Sequence, residues 1–142
     1  MNELDLKFID TTAPVIVVDD SDMSAAIARR VYERSTLRNP LIEFQSGPEL
    51  LKYMEQVKAG KRTFPAVVFI DINMPDVDGF QTLEILRGDA MFESEPWIIM
   101  LTNSDDRDDA EKAFRLGANG FQTKPQYPNE LLEFFNSLSD AE

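Results

Sequence analysis

Four short apolar runs punctuate the chain: Val15 to Val18, Ala66 to Ile70, Trp97 to Leu101, and a weaker one at Leu41 to Phe44. Each has the length of a strand and is rich in branched side chains, which favour extended backbone. Between them the spacing turns helical. After Asp20, Met23, Ile27 and Val31 recur four apart, and a second segment opens on Gly47-Pro48, proline being suited to a first helical turn. Both segments predict amphipathic helices. Phe80, Leu83, Ile85 and Leu86 within Gly79 to Arg87 predict a third helix. Asp105 to Leu116 predicts a fourth, with acids at its start and Gly117 as its stop. A fifth begins near Pro128 and runs through Leu131, Leu132, Phe134 and Phe135. Gly120 to Thr123 completes the alternation as a short fifth strand, although its propensity alone is weak.

Continuous apolar strands alternating with helices predict an α/β fold: a parallel sheet covered on both faces, a three-layer α/β/α sandwich. In such open sheets ligands bind beyond the carboxyl ends of the strands, so function is expected at the strand ends. No internal repeat, low-complexity tract or interdomain linker interrupts residues 14–142, which read as one domain. Residues 1–13 form a leader in which Leu4, Leu6 and Phe8 alternate with charged residues. That pattern suits an added edge strand or a partly ordered tail.

Composition narrows the chemistry. With no cysteine and no histidine, disulfides, thiolate nucleophiles, imidazole bases and zinc sites are excluded, leaving carboxylates, hydroxyls, amides, Lys and Arg. A formal net charge of -12 repels phosphate backbones and anionic lipid, so neither nucleic acid nor membrane is an expected partner. Cations and basic protein surfaces are. No signal peptide and no apolar stretch of membrane-spanning length is visible, and a cytoplasmic protein is expected.

The strand ends carry the candidate chemistry. The first strand runs into Asp19-Asp20 and the third into Asp71, which brings three carboxylates to one edge of the sheet if the two strands are neighbours. Like charges at that spacing do not all stay ionised unaided: their pKa values rise or a cation sits among them. With oxygen donors only, Mg²⁺ is the natural ion. The fourth strand ends at Thr102 and the fifth leads to Lys124-Pro125, adding a hydroxyl and an ammonium. A phosphoryl group on Asp71 would find a donor for each of its oxygens: the metal ion, Lys124 and Thr102.

The ordered motifs VVDD (17–20), FIDINMPDVDG (69–79), MLTN (100–103) and TKP (123–125) together resemble the receiver domains of bacterial response regulators, over Pro14 to about Leu138. The resemblance implies a flavodoxin-like strand order of 2-1-3-4-5 and Asp71 as phosphoacceptor. It implies Asp20 and Asp71 as direct Mg²⁺ ligands, Asp19 acting mainly through water, and the Asn73 backbone carbonyl as the remaining protein ligand. Thr102 and Phe121 would move together on phosphorylation and alter the surface of the fourth helix, fifth strand and fifth helix. Met74-Pro75 and Asp78-Gly79 would shape the turn after the acceptor. A histidine kinase or histidine phosphotransfer protein would donate the phosphoryl group and a separate protein would receive the output, because nothing beyond Ser139 to Glu142 follows the fifth helix. The protein would act as a stand-alone switch, a monomer or a phosphorylation-dependent dimer. The residue after the threonine is commonly small in this family, and here it is Asn103, which bears on the lifetime of the phosphorylated state.

Two rivals share some features. Asp20-Ser21-Asp22 after an apolar strand mimics the nucleophile motif of haloacid-dehalogenase-type phosphohydrolases, but Lys124 follows the acidic pair Asp105-Asp106 instead of preceding it, and no cap is inserted. A receiver fold serving only for docking would not need all five site residues. A calcium loop starting at Asp71 fails, since Asp76 and Thr82 stand where Gly and Glu are required. The run of acids from Asp105 to Glu111 reads as the solvated start of a helix.

Overall fold

The computed structural model describes residues 11–72, 74, 78–103, 107–125 and 127–138. In chain order these form β1 (Val15–Val18), α1 (Asp22–Arg34), β2 (Leu41–Phe44), α2 (Gly47–Lys58), β3 (Val67–Asp71), α3 (Gly79–Arg87), β4 (Trp97–Thr102), α4 (Arg107–Arg115), β5 (Gly120–Thr123) and α5 (Pro128–Ser137). All strand pairs are parallel and the sheet order is β2-β1-β3-β4-β5, the three-layer arrangement expected from the sequence. The leader positions Leu4, Leu6 and Phe8, and the start of the predicted fourth helix at Asp105, lie outside the described residues.

Alternation along the strands builds two cores. Ile16, Val18, Val68, Ile70, Ile98 and Met100 pack with Leu50, Met54, Leu83, Leu86 and Ala113 of α2, α3 and α4. Val15, Val17, Val67, Phe69, Ile99 and Leu101 pack with Val31, Tyr32 and Phe135 of α1 and α5. Because both faces are covered, the central strands are apolar up to their last residues, and each buried side chain of this size contributes about 1.5–3 kcal/mol. Polar groups are thereby confined to the strand ends. The helices begin where side chains can satisfy their first amides: Ser21 accepts from the Ser24 amide, Ser46 from the Glu49 amide, and Asp78 and Gln81 cap each other reciprocally. Gly117, at φ 108°, ends α4 in the left-handed region, as its place in the sequence predicted.

Helical spacing misjudged one face. Met23 is 74% and Ile27 40% exposed, and α1 instead buries Ala28, Val31 and Tyr32. The helix starts beyond the carboxyl end of β1, so its first turns overhang the sheet edge and have little core beneath them. Ile85 of α3 is exposed as well, rotated away from the Phe80, Leu83 and Leu86 stripe. Two further features had no periodic signal. One is a 3-10 turn, Ala90–Phe92, that buries Phe92. The other is Arg87, whose guanidinium donates to the carbonyls of Gly117 and Phe92 and to Asn119 Oδ1, tying α3 to the turn before β5.

Tyr32 closes the bottom of the α1 side. Its hydroxyl donates to the Asn39 carbonyl at 2.7 Å, its ring packs edge-on against Phe135, and burial pushes its pKa up to about 12. A phenol with a raised folded-state pKa adds stability that is intact below pH 10 and is lost as pH climbs through about 12. Tyr32→Phe is therefore expected to cost about 0.5–1.5 kcal/mol at pH 7 in urea melts. By pH 11 the wild type should lose about 1.4 kcal/mol of its advantage over the variant, because its unfolded tyrosine ionises first. A constant difference at both pH values would contradict the assignment.

Candidate functional site

Register fixes the site. β1 and β3 pair Val18 with Ile70, so continuing the ladder by one residue sets Asp19 beside Asp71. Asp71 and Thr102 are themselves the last residues of β3 and β4, and Thr102 lies opposite Thr123 of β5, which leads directly to Lys124. Backbone bonds lock these ends: Asp19 N–H donates to the Phe44 carbonyl at 3.0 Å, Ile72 N–H to Leu101 at 2.9 Å, and Lys124 N–H to Thr102 at 2.6 Å. Gly79 folds the following turn back onto Asp71, and a Cβ there would come within 2.6 Å of the Asp71 carbonyl oxygen. The glycine is a requirement of close backbone approach.

Asp19, Asp20 and Asp71 each offer a carboxylate oxygen, all within 4.8 Å of one another. Asp19 and Asp71 are 5% exposed, while Asp20 stands at the surface. Lys124 Nζ lies 2.6 Å from Asp19 Oδ2 and 3.4 Å from Asp71 Oδ2. Burial alone would push this ammonium down, but its hydrogen bond to Asp19 and the attraction of both carboxylates hold its pKa above the usual lysine value. One ammonium against three carboxylates still leaves the cluster formally negative. Hard oxygen donors this close, with an open cleft of about 390 Å³ for retained water, fit a small divalent cation such as Mg²⁺.

Asp19, Asp20, Asp71 and Lys124 thus come together as expected. Thr102 is 1% exposed at the adjoining strand end. Phe121 is partly buried on β5, opposite Met100, against the core shared with α2, α3 and α4. Asn73 lies outside the described residues. Two wall residues were missed: Ser21, whose amide donates to Asp19 Oδ1 at 3.0 Å, and Ser24. The Ser-x-x-Ser cap after the strand was the available signal. Asn103 lines the same cleft.

A sequence profile of the response regulator receiver domain matches residues 15–136, and the chain belongs to that family. Its members are signalling proteins of two-component systems. The chain is 31% identical over 127 residues to the chemotaxis protein CheY of Halobacterium salinarum, covering 89% of this chain and 97% of that one. Among solved structures it resembles response regulator RPA3017 in red light signalling of R. palustris, with 27% identity, a TM-score of 0.78 and coverage of 89% and 90%. It shares the fold of the Mn²⁺-bound form of response regulator Rcp1, at 22% identity, a TM-score of 0.74 and coverage of 89% and 91%.

Isothermal titration with Mg²⁺ tests the cluster. Asp20→Ala is expected to weaken binding about tenfold or more by removing one ligand charge. Lys124→Met should tighten it severalfold by removing a competing cation. Unchanged affinity in both variants would move the metal elsewhere.

Proposed function

We propose that this protein is the phosphoacceptor switch of a two-component phosphorelay, with Asp71 as the residue phosphorylated in a Mg²⁺-dependent reaction. The observation that carries the reading is the buried Asp71 carboxylate, 3.4 Å from the Lys124 ammonium and in the same cluster as Asp19 and Asp20. Asp19, Asp20, Asp71 and the Asn73 carbonyl would hold the ion. Once bound, Mg²⁺ supplies positive charge to a phosphoryl oxygen and draws the donor into an otherwise anionic cleft.

The chain's own residues do the rest. An Asp71 oxygen attacks the phosphorus of a phosphohistidine, and the P–N bond breaks with its electron pair passing to the imidazole, leaving an acyl phosphate on Asp71. Lys124, held by Asp19 and Asp71, is poised to neutralise a second phosphoryl oxygen, and the Thr102 hydroxyl donates to the third. Drawing Thr102 toward the phosphoryl group frees space for Phe121 to turn inward, which reshapes the surface of α4, β5 and α5 for a partner.

The phosphodonor is a histidine kinase or histidine phosphotransfer protein, and the recipient of the signal is a protein, working in the cytoplasm. A net charge of -12 disfavours nucleic acid as the direct target. Among the described residues no helix is long and apolar enough to cross a membrane. Phosphorylation regulates a monomer or promotes a dimer through the same α4, β5 and α5 face. No observation favours the phosphohydrolase alternative, since Asp20 is exposed and Asp22 is taken into the first turn of α1.

Incubation with Mg²⁺ and acetyl phosphate, read by intact mass, is the direct test. Wild type is expected to gain the mass of one phosphoryl group and Asp71→Asn none. Equal labelling of both, or labelling of neither, would overturn the proposal.

A further inference from the structure

β2 is an outer strand of the sheet, paired on one side with β1. The Pro40 carbonyl accepts from the Val15 amide and the Phe44 carbonyl from the Asp19 amide. The even-numbered peptide groups of β2 therefore face β1, and those of Leu41 and Glu43 face the open edge. All four β2 residues are half-buried, whereas their β1 neighbours are buried. Along this edge runs an open groove of about 890 Å³, with an apolar floor at Ile42, Phe44 and Tyr53 and a cationic rim at Lys52, Lys61 and Arg62. Glu43 lies on the opposite side of the strand, where one carboxylate oxygen accepts from Arg29. Its second oxygen is buried and has no hydrogen-bond partner among the described residues.

We propose that the leader docks here, residues 3–8 forming a sixth strand antiparallel to β2 that fills the groove and closes the edge. Leu4, Leu6 and Phe8 fall on one face of an extended segment, opposite Glu3, Asp5 and Lys7. With the apolar face over Ile42, Phe44 and Tyr53, Lys7 comes to the side of Glu43 and supplies the missing donor to its buried oxygen. An unsatisfied buried acceptor is costly, which favours that pairing. Glu3, Asp5 and Asp10 give the leader the sign of charge that Arg29 and the rim attract. Connectivity fixes the direction. Thr12 lines the groove, and Asn39 Nδ2 donates to the Ala13 carbonyl at 2.8 Å, so the leader departs beneath the start of β2 and must climb the strand from its amino end. Residues 9–13 span about 13 Å, more than two strand spacings, and residues 3–8 reach about 20 Å against about 13 Å of β2. So short a tether holds the leader at a millimolar effective concentration, ahead of any other chain competing for the edge. An uncovered edge with an apolar flank is a template for pairing with another copy, and the docked strand removes it.

NMR on the full chain tests the docking, with Leu6→Asp/Phe8→Asp as the variant, because charges set over the apolar floor would expel the strand. In wild type, Hα–Hα cross-peaks are expected between the leader and β2. The amides of Leu41 and Glu43 are expected to exchange about 10-fold or more slowly in wild type than in the variant. Dispersed signals from β1 and β3 in both proteins would show that the variant is folded. The cross-peaks are read on wild type alone, so their absence overturns the inference whatever the variant does. Equal exchange at Leu41 and Glu43 in the two folded proteins would also overturn it. So would cross-peaks and protection that fade on dilution, the sign of a leader donated by a second copy.

Discussion

Parallel pairing of β1 with β3 forces Asp19 and Asp71 to lie side by side, and the rest of the site answers that repulsion. Nothing in the strands can separate the two carboxylates, because Val15 to Val18 and Val67 to Ile70 are locked in register between two covered faces. Lys124 reaches them from β5 and relieves part of the charge, at 2.6 Å from Asp19 and 3.4 Å from Asp71. What remains is an edge that still attracts cations. The proposed phosphorylation switch needs this imbalance: a fully neutral cluster would hold no divalent ion, and one without Lys124 would have no fixed counterpart for phosphoryl oxygens.

The energy that maintains this unfavourable edge comes from elsewhere in the fold. Apolar strand interiors packed against helices on both sides supply the stabilisation, while caps at Ser21, Ser46 and Asp78 and the close approach of Gly79 set the loops that surround the cleft. The division is spatial, with burial along the strands and chemistry at their carboxyl ends. Thr102 at the end of β4 and Phe121 on β5 belong to neighbouring strands that also lead into α4 and α5.

Much of this was legible in the residues. Branched apolar runs marked four strands because a strand buried on both faces needs every side chain apolar, and Asp19, Asp20, Asp71 and Thr102 were visible as polar residues closing such runs, with Lys124 marked by its place before Pro125. The fifth strand was weaker because Gly120, Gln122 and Thr123 sit at a sheet edge with little burial to select for β-branched side chains. Periodicity set Met23 and Ile27 in line with the buried Val31 because it reports which side of a helix is apolar and cannot report where the sheet beneath it ends. The ties from Arg87 to Gly117 and Asn119, and from Tyr32 to Asn39, join residues whose sequence separation has no repeating pattern. Only three-dimensional packing brings them together.

Anomalous diffraction from crystals grown with Mn²⁺ in place of Mg²⁺ bears most directly on the central claim that crowded carboxylates make this edge a cation site. A single strong peak is expected in the cleft among the carboxylates of Asp19, Asp20 and Asp71, with Lys124 remaining beside it. A cleft that stays empty at saturating Mn²⁺, or an ion bound only elsewhere on the surface, would contradict it.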